Sequence, residues 1–195
     1  MDIVIATNNE HKVLEYKNIL KGLNINCLSL NDLNIKCEPD ETGKDFLDNS
    51  LIKAKEIARF TDKVIIADDS GLLIESLPNL LGVYSHRFLP LATYREKCEK
   101  ILELLKDTNN RKAKFICVIT LFNFKNEPIF FKGECFGSIG YEIKGENGFG
   151  FDPIFIPTSY NKTMAELSEQ TKNSISHRGI ASKKLIAYLK ESGVC

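Results

Sequence analysis

Residues 1–20 read MDIVIATNNEHKVLEYKNIL, and this stretch sets the fold class. Ile3–Ala6 is a short, wholly apolar run, the pattern of a buried strand. Thr7-Asn8-Asn9 is a polar turn. From about Glu10 to Leu20 the residues Val13, Tyr16 and Leu20 recur at helical spacing and predict one buried stripe. A strand that leads through a polar turn into a helix is a common anion site, because the first backbone N–H groups of the helix point at the ligand.

The pattern repeats outward from there. A second helix is expected over about Asp45–Phe60, with Phe46, Leu47, Leu51, Ala54 and Ile57/Ala58 on its inner face. The apolar strand Val64–Ala67 follows and ends at Asp68-Asp69-Ser70-Gly71. A third helix, Tyr94–Leu105, is amphipathic through Cys98, Ile101, Leu102 and Leu105. The β runs Phe115–Phe124 and Ile129–Phe136 flank Lys125-Asn126-Glu127-Pro128 and read as an antiparallel hairpin or meander. A glycine-rich stretch, Gly145–Gly150, leads into Phe151-Asp152-Pro153 and the strand Ile154–Ile156, and a last helix runs from about Gly179 to Lys190. Early βα units followed by an antiparallel segment predict an α/β protein with a mixed sheet and helices packed on it.

Composition narrows the function. The chain has 195 residues, 43% of them hydrophobic and 27% charged, as expected of a soluble globular protein that needs no staples. Its 26 Lys and Arg balance 26 Asp and Glu, which argues against nucleic acid as a partner but not against a small anion. No run approaches the ~18 apolar residues of a membrane helix, and Ile3–Ala6 is too short for a signal-peptide core. Cys27, Cys37, Cys98, Cys117, Cys135 and Cys195 show no metal-like spacing and are read as reduced, structural thiols of a cytoplasmic protein.

Five constellations could carry chemistry. Thr7-x-Asn9-x-x-Lys12 offers a hydroxyl, an amide and an ammonium to phosphate oxygens; a plain N-cap by Thr7 or Asn8 is the other reading. Asp68 and Asp69 are adjacent carboxylates at a buried strand end, where they need a cation or donors to be tolerated; Mg²⁺ is one such cation, and a solvated turn is the alternative. Glu38–Gly43 is acidic and could complete a metal site with Asp69 or simply be solvated. The helix behind it carries Lys53, whose head could reach a ligand from the core edge. Gly148-Phe149-Gly150-Phe151-Asp152 could admit a planar ligand, with Phe149 stacking and Asp152 accepting a base N–H, or could be a turn with two core phenylalanines. Lys172 and Ser176-His177-Arg178-Gly179 gather cations before the last helix, the end that prefers anions, which points to an acceptor-rich ligand or to a surface loop. His11 and His86 sit in no partnering motif of their own.

Taken in order, TNNEHK, ETG, ADDSGL, GVYSHRF, GFGFDPIF, KTMAELS and KNSISHRG resemble the inosine triphosphatase family of non-canonical purine NTP pyrophosphatases, nearly end to end. The resemblance implies an elongated two-lobed α/β domain over residues 1–195, with a long mixed β-sheet flanked by helices, a central cleft and a homodimeric state. It implies conversion of ITP, dITP or XTP and water to monophosphate and pyrophosphate, which cleanses the nucleotide pool. By the same token Thr7, Asn8, Asn9, Glu10, His11 and Lys12 match the triphosphate turn. Glu41 and Asp69 match the Mg²⁺ ligands, with Asp69 also the proton acceptor. Lys53 and Ser70 match phosphate contacts. Phe149, Gly150, Phe151, Asp152, Lys172, His177 and Arg178 match the base-binding set, where His177 and Arg178 together are expected to donate to O6. His86 and the stretch Leu89–Thr93 depart from the family pattern. A Maf-like pyrophosphatase of other base preference, a non-catalytic nucleotide sensor and an orthophosphate-releasing phosphatase are the competing readings.

Overall fold

The structure, a computed structural model, describes residues 1–193. In chain order it contains β1 (Asp2–Ile5), α1 (Glu10–Ile19), β2 (Asn26–Ser29), α2 (Phe46–Ile57), β3 (Val64–Ile74), α3 (Tyr94–Leu104), β4 (Lys112–Phe122), β5 (Ile129–Ile139), β6 (Phe155–Pro157), α4 (Glu169–Ile175) and α5 (His177–Glu191), with short 3₁₀ turns between. The strands form one sheet in the order β2-β1-β3-β4-β5-β6. β1 pairs in parallel with β2 and β3, and β5 pairs antiparallel with β6, so the sheet is mixed as expected. The chain divides into two compact units: residues 1–69, 117–133 and, among the described residues, 178–193; and residues 70–116 and 134–177.

In the first unit the sheet buries both faces. Alternation along β1 and β3 sends Ile3, Ile5 and Ile66 to one side, where Tyr16 of α1, Leu20 at its C-cap and Ala181, Leu185 and Leu189 of α5 cover them. Val4, Ala6, Ile65 and Ala67 go to the other side, against Ala54 and Ile57 of α2. Both faces of the central strands are covered, which is why they read as unbroken apolar runs. In α2 the inner face holds Phe46, Asn49, Ser50, Ala54 and Ile57, whereas Leu47, expected inside, is exposed. In the second unit Leu72, Phe115, Cys135, Ile139 and Phe155 of the strands pack against Cys98, Ile101 and Leu105 of the α3 region.

Several element ends shift by a few residues from expectation, among them β4, β5 and the start of the last helix at His177, and two differences bear on the site. β3 does not end at Ala67; it runs on through Asp68-Asp69-Ser70-Gly71 to Ile74. Lys172 is not in a loop before the last helix but in the last turn of α4, where the helix dipole favours a cation. Cys27, Cys37, Cys98, Cys117 and Cys135 are free thiols, and Cys195 lies outside the described residues. Among the described residues no helix is long and apolar enough to cross a membrane.

α3 begins with a capping box: Thr93 accepts from Glu96 N–H while the Glu96 carboxylate accepts from Thr93 N–H. Thr93→Ala is expected to cost about 1 kcal/mol of stability, read as a lower midpoint in urea unfolding.

Candidate active site

The continuation of β3 through two aspartates explains how adjacent carboxylates coexist there. Successive side chains of a strand point to opposite faces, so Asp68 and Asp69 leave the strand on different sides and meet different cations.

Asp68 turns to the α1/α5 face. Its Oδ2 accepts from Lys12 Nζ at 3.0 Å and from Arg178 Nη2 at 2.9 Å. Arg178 Nη1 donates to Glu15 Oε2 at 2.6 Å. Asp68 and Arg178 are each only 2% exposed. Burial alone would push the Asp68 carboxyl up, but Arg178, then Lys12 and Lys53, outweigh it and hold that carboxyl well below the usual range. The folded chain therefore keeps this charge to lower pH than the unfolded chain does. The resulting stability is fully present above the ordinary Asp value of about 4 and is lost as pH falls below it. Urea unfolding of the metal-free protein is expected to show a midpoint that drops below that pH, with a shallower drop for Asp68→Asn.

Asp69 turns to the α2 face. Lys53 Nζ lies 3.1 Å from Asp69 Oδ1 and 2.5 Å from Glu41 Oε1, and also donates to the Asp68 carbonyl at 3.3 Å. Asn49 Nδ2 donates to Asp69 Oδ2 at 3.1 Å, while Asn49 Oδ1 accepts Gly43 N–H at 2.8 Å. One helix thus holds Asp69 and also pins the loop that presents Glu41. Burial raises the Asp69 carboxyl, and the lowering effects of Lys53 and Lys12 do not fully offset it.

Two carboxylates drawn to one ammonium form a hard-oxygen pair that suits Mg²⁺, an ion held by one or two protein carboxylates with water and substrate phosphates in its other positions. Among the described residues no group of three or more His, Cys, Asp and Glu is placed to hold a metal ion.

The turn after β1 is built as a helix entry. Asn9, rather than Thr7 or Asn8, caps α1, accepting from His11 N–H and Lys12 N–H at 3.0 and 3.3 Å. Thr7 Oγ1 accepts from Asn9 N–H, and Asn8 Nδ2 donates to the Cys37 carbonyl. Glu10 and His11 are exposed on the first turn of the helix.

The second unit carries its own cluster. Lys172 Nζ pairs with Asp152 Oδ2 at 2.8 Å and lies 4.9 Å from the centre of the Phe149 ring. Asp152 Oδ2 also accepts from Phe149 N–H at 3.0 Å, so one carboxylate closes the Phe149–Asp152 turn. Gly148 has φ +77°, and a Cβ there would stand 2.2 Å from Asp152 Oδ2, so only glycine fits beside the pair. Phe151 is buried in the core, and Ser70 lies on β3 directly after Asp69. The His177 ring stacks on Phe115, with centroids 4.7 Å apart and planes within 12°.

The expected joint action of His177 and Arg178 is therefore not the arrangement observed. Consecutive helix residues leave the axis about 100° apart. One ring goes to Phe115, and the guanidinium goes to Asp68 and Glu15. Asn49, Glu15 and Phe115 belong to none of the five constellations. The signal existed for the first two: Lys12, Glu15 and Tyr16 share a helix face, as do Asn49, Lys53 and Ile57, placing polar groups on buried stripes.

A mixed-sheet α/β protein with lysine-bound carboxylates on both faces of one central strand is the class that fold and site define. The chain belongs to the Ham1 family, whose model matches residues 3–188. It is 43% identical over 196 residues to a dITP/XTP pyrophosphatase of Clostridium perfringens, covering 96% of each chain. It is 42% identical over 200 residues to the dITP/XTP pyrophosphatase of Aquifex aeolicus, covering 97% of each. Its fold matches a HAM1 protein from Coxiella burnetii with a TM-score of 0.88 at 39% identity, over 98% of this chain and 99% of that one. The Staphylococcus aureus Ham1 protein matches with a TM-score of 0.87 at 37% identity, over 98% of this chain and 100% of that one.

Proposed function

We propose that residues 1–195 form one catalytic domain, a nucleoside triphosphate pyrophosphatase that hydrolyses ITP, dITP and XTP to the monophosphate and pyrophosphate. The observation that carries this reading is the pair Glu41 and Asp69 gathered on Lys53, in a chain whose full-length relatives bear the name dITP/XTP pyrophosphatase.

In this reading Lys12, Lys53 and the Thr7–Lys12 turn bind the triphosphate, with Ser70 beside them. Asp69, held from both sides by Asn49 and Lys53, orients a water on the α-phosphorus and takes its proton. The water oxygen bonds to phosphorus, the bridging bond to the β-phosphate breaks, and pyrophosphate leaves. Glu41 and Asp69 would hold Mg²⁺, which supplies positive charge to the phosphate oxygens. Fixed positive charge around a redistributing negative one is the main lever in such reactions.

Base choice follows from hydrogen-bond polarity. Hypoxanthine and xanthine present an acceptor O6 and a donor N1–H; adenine presents a donor amine and an acceptor N1. A base site built on Lys172 and His177 with the Phe149–Asp152 turn rewards the first pattern, and it leaves donors facing a donor in the second. Exposed Leu91, Leu89 and Tyr84 support a homodimer, and a nucleotide-pool substrate with free thiols supports a cytoplasmic location.

The test is a panel of nucleotides with Mg²⁺. Pyrophosphate release with kcat/KM for ITP and XTP at least about a hundredfold above ATP is expected, the range of a polar-group mismatch. Orthophosphate as product, or equal rates on all bases, would overturn the reading.

A further inference from the structure

Lys97 is a buried lysine that the proposed reaction does not use. It is 5% exposed, and burial lowers its pKa, with no carboxylate among the described residues acting on it. Taking an ammonium out of water without a counter-ion is costly, and a methionine would fill the same volume without that cost. Lys97 instead makes two polar contacts. Its Nζ donates to the His86 carbonyl at 2.8 Å and lies 5.1 Å from the centre of the Tyr94 ring.

Both contacts lead to chemistry-bearing segments of the second unit. The Tyr94 ring meets Phe151 edge-on, with centroids 6.0 Å apart and planes at 89°, and its Cε1 borders Gly150. One turn further on, the Cys98 thiol lies 3.6 Å from the Gly150 carbonyl. Residues 94, 97 and 98 share one face of α3, so this face touches the Phe149–Asp152 turn. The His86 carbonyl belongs to the GVYSHRF stretch, which Ser85 ties to β3: its Oγ accepts from Leu72 N–H at 3.0 Å and donates to the Gly82 carbonyl at 2.6 Å.

We infer that Lys97 is a positioning residue for the base end of the substrate: it holds the Tyr94 ring against Gly150 and Phe151 and joins the GVYSHRF stretch to the same helix. This rests on the reading of the Phe149–Asp152 turn as the base site. It assigns the base site a support outside the turn itself, and gives the buried charge a role that packing does not.

The experiment compares Lys97→Met, Lys97→Arg and Tyr94→Leu with the wild type, using ITP as substrate and inorganic tripolyphosphate as a baseless competitor. Lys97→Met is expected to raise KM for ITP by about five- to thirtyfold, the size of a lost cation–π contact, with kcat within about twofold. Its inhibition constant for tripolyphosphate should stay at the wild-type value, and its Tm should equal or exceed the wild type's. Tyr94→Leu should reproduce the KM change, and Lys97→Arg should restore most of it. An unchanged KM in Lys97→Met overturns the inference, as does a parallel loss of tripolyphosphate binding or a fall in kcat alone. A wild type that does not release pyrophosphate from ITP would instead overturn the underlying reading, so the two failures are distinct.

Discussion

Asp69→Asn is expected to lower kcat for ITP by about 10²–10⁴-fold while nucleotide Kd stays within about tenfold of the wild type. The carboxylate is held on two sides, by Lys53 at Oδ1 and by Asn49 at Oδ2. An amide in its place keeps the volume but removes the proton acceptor. It also sets an NH₂ group against one of those two donors. Asn49 cannot relieve this by turning its amide over, because its oxygen already accepts the Gly43 N–H. Steady-state rates alongside calorimetric binding of ITP separate the two effects. Near-normal turnover would remove Asp69 from the role of base.

Arg178→Ala is expected to destabilise the protein by about 3–5 kcal/mol, the usual result of removing one partner from a buried charge network. The guanidinium donates to both Asp68 and Glu15, so its removal takes a buried cationic partner from each carboxylate and leaves Lys12 and Lys53 as the cations acting on Asp68. Arg178→Lys should recover little, since a single ammonium cannot reproduce a planar fork that reaches two acceptors at once. Urea unfolding gives the measurement. A stable Arg178→Ala protein with altered base preference alone would mean that the pairing with Asp68 and Glu15 contributes little to the fold.

The sheet and its helices were legible because strands covered on both faces write themselves as apolar runs, and helices with one buried stripe as spaced ones. Val64–Ala67 reads as a strand for that reason. Its continuation through Asp68 and Asp69 does not, because a run of polar residues looks like a turn until the partners on each face are known. Those partners come from elsewhere in the chain: Lys12 and Arg178 for one aspartate, Lys53 and Asn49 for the other. Family resemblance places the residues of the site in order but says nothing of which way each points. That is why Arg178 was expected at the base beside His177, whereas the guanidinium is bound to Asp68 and Glu15. Lys97 left no trace in the sequence beyond a charged residue next to the apolar Cys98 on α3; its burial emerges only in the packed helix.

The most direct test of the central claim is to run ITP hydrolysis with Mg²⁺ in ¹⁸O-labelled water and locate the label. Attack by an Asp69-held water on the α-phosphorus predicts ¹⁸O in the monophosphate and unlabelled pyrophosphate. Label in pyrophosphate or orthophosphate, with an unlabelled nucleotide product, would contradict it.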